Sequence, residues 1–293
     1  MGTLTVGDFR NKYSHLGFSG GGLRCFWQGG ALDVLRDRRR LEPDSVAATS
    51  GGALSAACFI ACRGDDLLRV FSAHLKPQDH NFEIDGVDDD TEDLTPHQQL
   101  YRDVVEETLT DSACDQIASG PGFEVLLARP PRFLPLGPGA ALTMVLYKLD
   151  KLIRSSPHGR FAKLAGASEL RIDARQAARE GLLRDLVCLA ASIPPVFEIR
   201  RWKGKSVIDA GTIENAPLPE TINGAALVLL TRSYRNLPKV DGRTYIYPSE
   251  ATPADKIDFT DADALERTYR QGQRDMEEIL SQAGSGSAAR HED

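Results

Sequence analysis

The sequence lacks the usual marks of a nucleic-acid-binding, metal-binding or disulfide-stapled protein. Its 35 Lys and Arg stand against 42 Asp and Glu, a formal net charge of -7. Phosphate backbones are bound by clustered cations, so no nucleic-acid partner is expected. Its five cysteines, at positions 25, 58, 62, 114 and 188, form no Cys-x-x-Cys pair and no ligand-spaced set. Neither a disulfide scaffold nor a metal site is indicated, and buried, reduced thiols are expected. Long apolar runs are missing too. The nearest, Phe133 to Tyr147, is broken by prolines and glycines and is shorter than the ~18 residues of a membrane span. The first residues, Met1-Gly2-Thr3-Leu4-Thr5-Val6, have no charged segment leading into an apolar core and no Ser or Thr at position 6 for myristoylation. A cytoplasmic protein is expected, and any contact with a membrane would be peripheral.

Within the length of 293 residues, 41% hydrophobic and 26% charged, one domain with an inserted lid is expected over two equal domains. The stretch Val46-Ala47-Ala48-Thr49-Ser50-Gly51-Gly52-Ala53-Leu54 organises it. A short β-type run ends at a serine, and two glycines lead into an apolar helix. This is the pattern of a nucleophile elbow, which lifts a hydroxyl above the edge of a sheet and requires small neighbours. Upstream, an apolar segment from Tyr13 to Ser19 ends in Gly20-Gly21-Gly22-Leu23-Arg24, followed by helical spacing from Cys25 to Arg38. Strand, helix, strand in this order implies a parallel right-handed crossover, with both loops at the carboxyl edge of one sheet.

Bare glycine amides at a helix start can hold a phosphate or an oxyanion. The dinucleotide fingerprint would want Gly or Ala where Cys25 stands, and no Gly-Lys-Ser/Thr follows for a P-loop. The oxyanion reading is therefore preferred. A serine hydroxyl also needs a base. The six histidines, at 15, 74, 80, 97, 158 and 291, leave none between Asp209 and the tail, so a conventional triad is disfavoured. Asp209 ends the second strand of a hairpin formed by 197–202 and 206–209, and precedes the small-residue turn Ala210-Gly211-Thr212-Ile213-Glu214-Asn215-Ala216-Pro217. A carboxylate there can take the serine proton directly if burial raises its pKa.

The remaining chain is less distinctive. An acidic stretch at 77–95 lacks the ligand alternation of an EF-hand and is read as a solvated loop. A six-turn helix is expected from Thr95-Pro96 to Ile117. Within 126–154, a helix with Leu142, Val145, Leu146, Leu149, Leu152 and Ile153 on one face carries Lys148, Lys151 and Arg154 on the other. A cap helix packed on the core is the preferred reading, and an interfacial lid on anionic lipid the other. A helix over 261–280 and a disordered, Gly/Ser/Ala-rich tail complete the chain.

Four blocks taken together resemble the patatin-like phospholipase family: Ser19-Gly20-Gly21-Gly22-Leu23-Arg24, Ala48-Thr49-Ser50-Gly51-Gly52, Ala190 through Phe197, and Asp209-Ala210-Gly211 through Asn215-Ala216-Pro217. The resemblance implies an α/β three-layer sandwich, a mostly parallel sheet with helices on both faces; one domain over 1–282 is expected, with 77–160 as acidic loop plus helical lid. The lid bounds come from the residues between the blocks, and the blocks themselves imply a Ser-Asp acyl hydrolase acting on lipid esters without cofactor or metal. Ser50 would be nucleophile, Asp209 base, and the N–H groups of Gly20, Gly21 and Gly22 the oxyanion hole. Arg24 would hold the glycine loop or an anionic head group, with Gly51, Gly52 and Asn215 in support. Ala48, Cys25 and Ala210 depart from glycines of the family pattern, and activity is expected to survive them. Acyl transfer to an alcohol or thiol, and a lipid-binding module without turnover, are the competing functions.

Overall fold

The computed structural model describes residues 5–6, 9, 12–38, 41–75, 96–131, 133–193 and 199–288. In chain order its elements are β1 (Thr5–Val6), β2 (His15–Phe18), α1 (Phe26–Arg38), β3 (Ser45–Thr49), α2 (Gly52–Ile60), α3 (Gly64–Leu75), α4 (Pro96–Thr108), α5 (Asp111–Ser119) and β4 (Gly122–Arg129). There follow α6 (Leu136–Arg154), α7 (Phe161–Leu164), β5 (Ser168–Asp173), α8 (Ala174–Arg179), α9 (Leu183–Ala190), β6 (Arg200–Trp202), β7 (Lys205–Asp209), β8 (Ala226–Leu229), β9 (Arg243–Ile246) and α10 (Ala262–Ala288).

The strands form one sheet, in the order β1-β9-β8-β2-β3-β4-β7-β6, with β5 also paired to β4. Its centre is parallel: β3 and β8 flank β2, β4 lies on β3, and β9 on β8. Antiparallel pairs finish the edges. Alternate residues face opposite layers, as the pleat requires. Val46 and Ala48 of β3, with Val125 and Leu127 of β4, enter a large core shared with α1, α2, α4, α9 and α10. Ala47, Leu126 and Ala128 face the other way, into a smaller cluster with Ala140 of α6 and Ala162 of α7. Strands covered on both sides read as continuous apolar runs, which is why Ser45–Thr49 shows no polar alternation. The large layer is closed by α1 against α10, where Trp27 Nε1 donates to Asp275 Oδ2 at 2.7 Å and a Cβ at Gly272 would lie 2.1 Å from Trp27 O.

Three sequence expectations are corrected. Residues 122–129, assigned to the lid region 77–160, form β4, which pairs with β3, β5 and β7 at the middle of the sheet. The run Phe123-Glu124-Val125-Leu126-Leu127-Ala128 is a buried strand closed by Pro130 and Pro131. The single helix expected to Ile117 is two, because Thr110 caps α5 by accepting from Ala113 N at 3.4 Å. α10 runs on to Ala288 through the start of the expected tail, since each added helical residue gains a hydrogen bond without a new nucleus. The acidic stretch 77–95, Pro194 to Phe197 of the third block, and residues 289–293 lie outside the described residues.

Candidate active site

β4 is longer than β3, and the overhang builds the site. Thr49, the last residue of β3, pairs with Leu126, and the next residue of β4, Leu127, pairs with Asp209. β5 occupies the opposite edge of β4 at these positions, so β7 continues on the edge that β3 vacates. β3 runs parallel to β4 and β7 antiparallel to it. Their carboxyl ends therefore meet head to head, Ser50 leaving one and Asp209 closing the other. Ser50 Oγ donates to Asp209 Oδ2 at 2.7 Å, both residues being buried.

Ser50 has φ of +55°, a left-handed conformation that costs a serine about 1–3 kcal/mol. The surrounding packing enforces it. Ala53 N donates to Ser50 O at 2.9 Å as α2 begins, and a Cβ on Gly52 would lie 2.5 Å from Ser19 O. Only glycine lets this turn pass so close to the end of β2. Gly51 stands at the N-cap of α2, so the positive end of that helix lies beside the hydroxyl.

The glycine loop leaves β2 alongside. Gly20 N–H donates to Asn215 Oδ1 at 3.0 Å and so is taken. Among the described residues no group accepts from the N–H of Gly21 or Gly22. Of the three amides expected to form an oxyanion hole, these two have no acceptor among the described residues. Gly22 has φ of +57°, and a Cβ there would lie 1.9 Å from Lys256 O. Arg24 forms an ion pair with Asp255, while Leu23 N donates to Lys256 O at 3.2 Å. Arg24 thus ties the glycine loop to the 255–256 segment.

Asn215 joins the two halves of the site: besides receiving the Gly20 N–H, its Nδ2 donates to Tyr234 Oη at 2.8 Å. The third block contributes through its backbone, Asp209 N donating to Ser192 O at 2.9 Å. Sequence reading missed several partners. Thr231 Oγ1 donates to Gly20 O at 2.8 Å, and Gln28 Nε2 donates to Ser19 O at 3.0 Å and Leu229 O at 2.9 Å. Gln28 carried a signal, being a polar residue beside Phe26, Trp27 and Ala31 in a buried helix. Thr231, Tyr234 and Lys256 had none, since only the fold brings them near.

Burial raises the carboxyl pKa of Asp209, against the opposing pull of Lys256, the Ser50 hydroxyl and the Gly211 N–H. Gly211 N donates to Asp209 Oδ1 at 2.7 Å, leaving Oδ2 to the serine. Cys25, where the family pattern has glycine, is pushed up to about 12 by burial and stays a thiol. The site opens on an apolar cavity reached by Ser50, Gly22 and Gly51 and walled by Phe26, Leu54, Leu67, Phe71 and Phe259. Its walls suit an apolar group. No group of three or more His, Cys, Asp or Glu side chains among the described residues could hold a metal, and no helix among them is long and apolar enough to cross a membrane.

Among curated proteins none matches the chain. A family model described as patatin-like phospholipase matches residues 16–222, well over half of the chain and every one of the four blocks. With that match and a mostly parallel sheet flanked by helices, the chain belongs to the patatin-like phospholipase family.

Proposed function

We propose that this protein hydrolyses carboxylic esters of phospholipids or lysophospholipids through an acyl-Ser50 intermediate, with Asp209 as the base. The observation that carries the reading is the 2.7 Å hydrogen bond from Ser50 Oγ to a buried Asp209 carboxylate at the mouth of an apolar cavity.

In the acylation step Asp209 Oδ2 takes the hydroxyl proton as Oγ bonds to the ester carbon. The carbonyl π pair moves onto oxygen, and the oxyanion lies against the N–H groups of Gly21 and Gly22 and the positive end of α2. When the tetrahedral species collapses, the leaving alcohol oxygen takes the proton from Asp209. Deacylation repeats the cycle with water: Asp209 removes its proton, the hydroxide oxygen bonds to the acyl carbon, and Ser50 Oγ recovers the proton as the fatty acid leaves. Burial supports this use of a carboxylate, because a raised pKa brings its basicity closer to that of the groups it serves. The apolar walls of the cavity beside Ser50 would face the acyl chain.

A fluorophosphonate probe tests the reading. Folded protein is expected to be labelled at Ser50, Ser50→Ala protein to release no fatty acid from phospholipid, and Asp209→Asn protein to release it roughly 10²–10⁴-fold more slowly. Absence of labelling in folded protein, with ester turnover intact in Asp209→Asn, would sink it.

A further inference from the structure

α6 buries one side and leaves the other bare. Ala140, Thr143 and Asp150 are turned inward, whereas Val145, Leu149, Leu152 and Ile153 are 60%, 43%, 81% and 63% exposed. Their spacing puts them on one stripe of the helix. Phe133 before the helix and Leu164 in α7 are 72% and 75% exposed. Of the nine exposed large hydrophobic residues among those described, six fall between 133 and 164. Scattered apolar residues on a surface need no explanation, but a concentration of this kind does.

The charges on this helix are equally one-sided. Lys148 and Lys151 are exposed next to the apolar stripe. The only carboxylate of α6, Asp150, is buried and engaged by Arg154 Nη1 at 3.2 Å and by the Arg160 N–H. The outer face is thus apolar and cationic in a chain whose net charge is -7.

The end of this helix is fastened to the site. Asn215 N donates to Pro157 O at 2.8 Å, Gly159 N to Ile213 O at 3.0 Å, and Asn236 N to Ser155 O at 3.3 Å. The turn that follows α6 is therefore bonded to the loop that carries Asn215. Ile257, 46% exposed, adds an apolar residue where Lys256 and Ile257 line the cavity.

We infer that the outer face of α6 docks the protein on an anionic lipid surface, the apolar stripe entering the interface and Lys148 and Lys151 meeting acidic head groups. Charge complementarity selects this occupant: a helix with an apolar stripe and cationic flanks, free of exposed acid, matches the interfacial type. The inference extends the lipid-ester reading by naming the surface from which substrate is taken.

The test is cosedimentation of Ser50→Ala protein with vesicles of phosphatidylcholine alone and with phosphatidylglycerol added, so that binding does not depend on turnover. Binding is expected on the anionic vesicles and to weaken with salt. The Leu149→Asp, Leu152→Asp double variant should lose at least ten-fold in affinity, and Lys148→Gln with Lys151→Gln about five-fold per lysine. In the Ser50-intact protein the leucine variant should hydrolyse a soluble short-chain ester as the parent does. Equal binding by parent and leucine variant, or no binding to either vesicle, overturns the inference. So does a dimer in light scattering that the leucine variant dissociates, since a second copy would then cover the face. Failure of the hydrolase reading would appear instead as lost ester turnover and probe labelling with vesicle binding intact.

Discussion

Thr49 and Asp209 pair with adjacent residues of one strand, Leu126 and Leu127. The 2.7 Å approach of Ser50 to Asp209 is therefore fixed by sheet register rather than by side-chain flexibility. A register slip of one residue reverses the faces of a strand, so β7 can present the carboxylate to Ser50 in only one alignment. Asp209→Asn keeps the side-chain oxygen that accepts from Gly211 and removes the base. Ester turnover should fall roughly 10²–10⁴-fold, while circular dichroism stays that of the parent. Unchanged turnover would remove Asp209 from the chemistry.

The pH profile follows from the same burial. Asp209 must be ionised to accept a proton, and burial raises its pKa. The acid limb of kcat/KM should therefore lie above the ~3.9 of an ordinary aspartate. The stability sign is opposite. The folded state holds this proton to higher pH than the unfolded state does, so the contribution of Asp209 to stability declines as pH rises between the two pKa values. Above its folded-state pKa the ionised carboxylate is a burden on the fold. Asp209→Asn should accordingly raise Tm above that of the parent while lowering activity, which calorimetry at two pH values would check.

Asn215 tests how rigid the glycine loop must be. Its amide accepts the Gly20 N–H and donates to Tyr234 Oη, so Asn215→Ala leaves the buried Gly20 N–H without a partner and Tyr234 with only its bond to Arg232. A cost of about 1–3 kcal/mol in stability is expected, together with a drop in kcat larger than any change in KM, because the donors of Gly21 and Gly22 lose their support. Denaturant titration and steady-state kinetics measure the two effects separately. A variant that loses stability but retains kcat would leave Asn215 a structural residue only.

Gly21 carries a sharper version of that test. A Cβ there would lie 2.4 Å from Thr231 Oγ1 and 2.7 Å from Thr231 Cβ, so Gly21→Ala must shift the loop and turn its N–H away. Loss of one such donor is worth about 10²–10³ in kcat. The hydroxyl of Ser50 is untouched, so turnover should suffer more than fluorophosphonate labelling does. Equal losses in both would point to collapse of the elbow instead.

The parts of this site that were legible in the sequence are those where the backbone itself is constrained. Ser50, with its positive φ, needs small neighbours, and Gly22 and Gly52 sit where a side chain would strike backbone. Such demands leave a local signature. Asp209 was legible because a hairpin and a small-residue turn flank it. β4 is masked in the sequence by Arg129-Pro130-Pro131, which marks a loop, although a short apolar run closed by prolines is itself a strand signal. The loss of Gly20 as a donor could not be read at all, since it depends on an amide that stands 195 positions away in the chain.

Ala48 tests whether the departures from the family pattern matter. Its backbone lies between Phe18 of β2 and Val125 of β4, and its side chain is fully buried in the large core. The extra methyl group thus fills the interior and does not intrude on the turn at Ser50. Ala48→Gly would remove about one methyl of burial, worth ~0.8 kcal/mol, and add ~0.5–1 kcal/mol of backbone entropy cost. At this chain length each kcal/mol lowers Tm by roughly 2–4 °C. Tm should therefore fall by several degrees while the rate of Ser50 labelling stays within two-fold of the parent. A large gain in labelling on restoring glycine would mean instead that the methyl group restrains the elbow, and the tolerance argued for this position would be wrong.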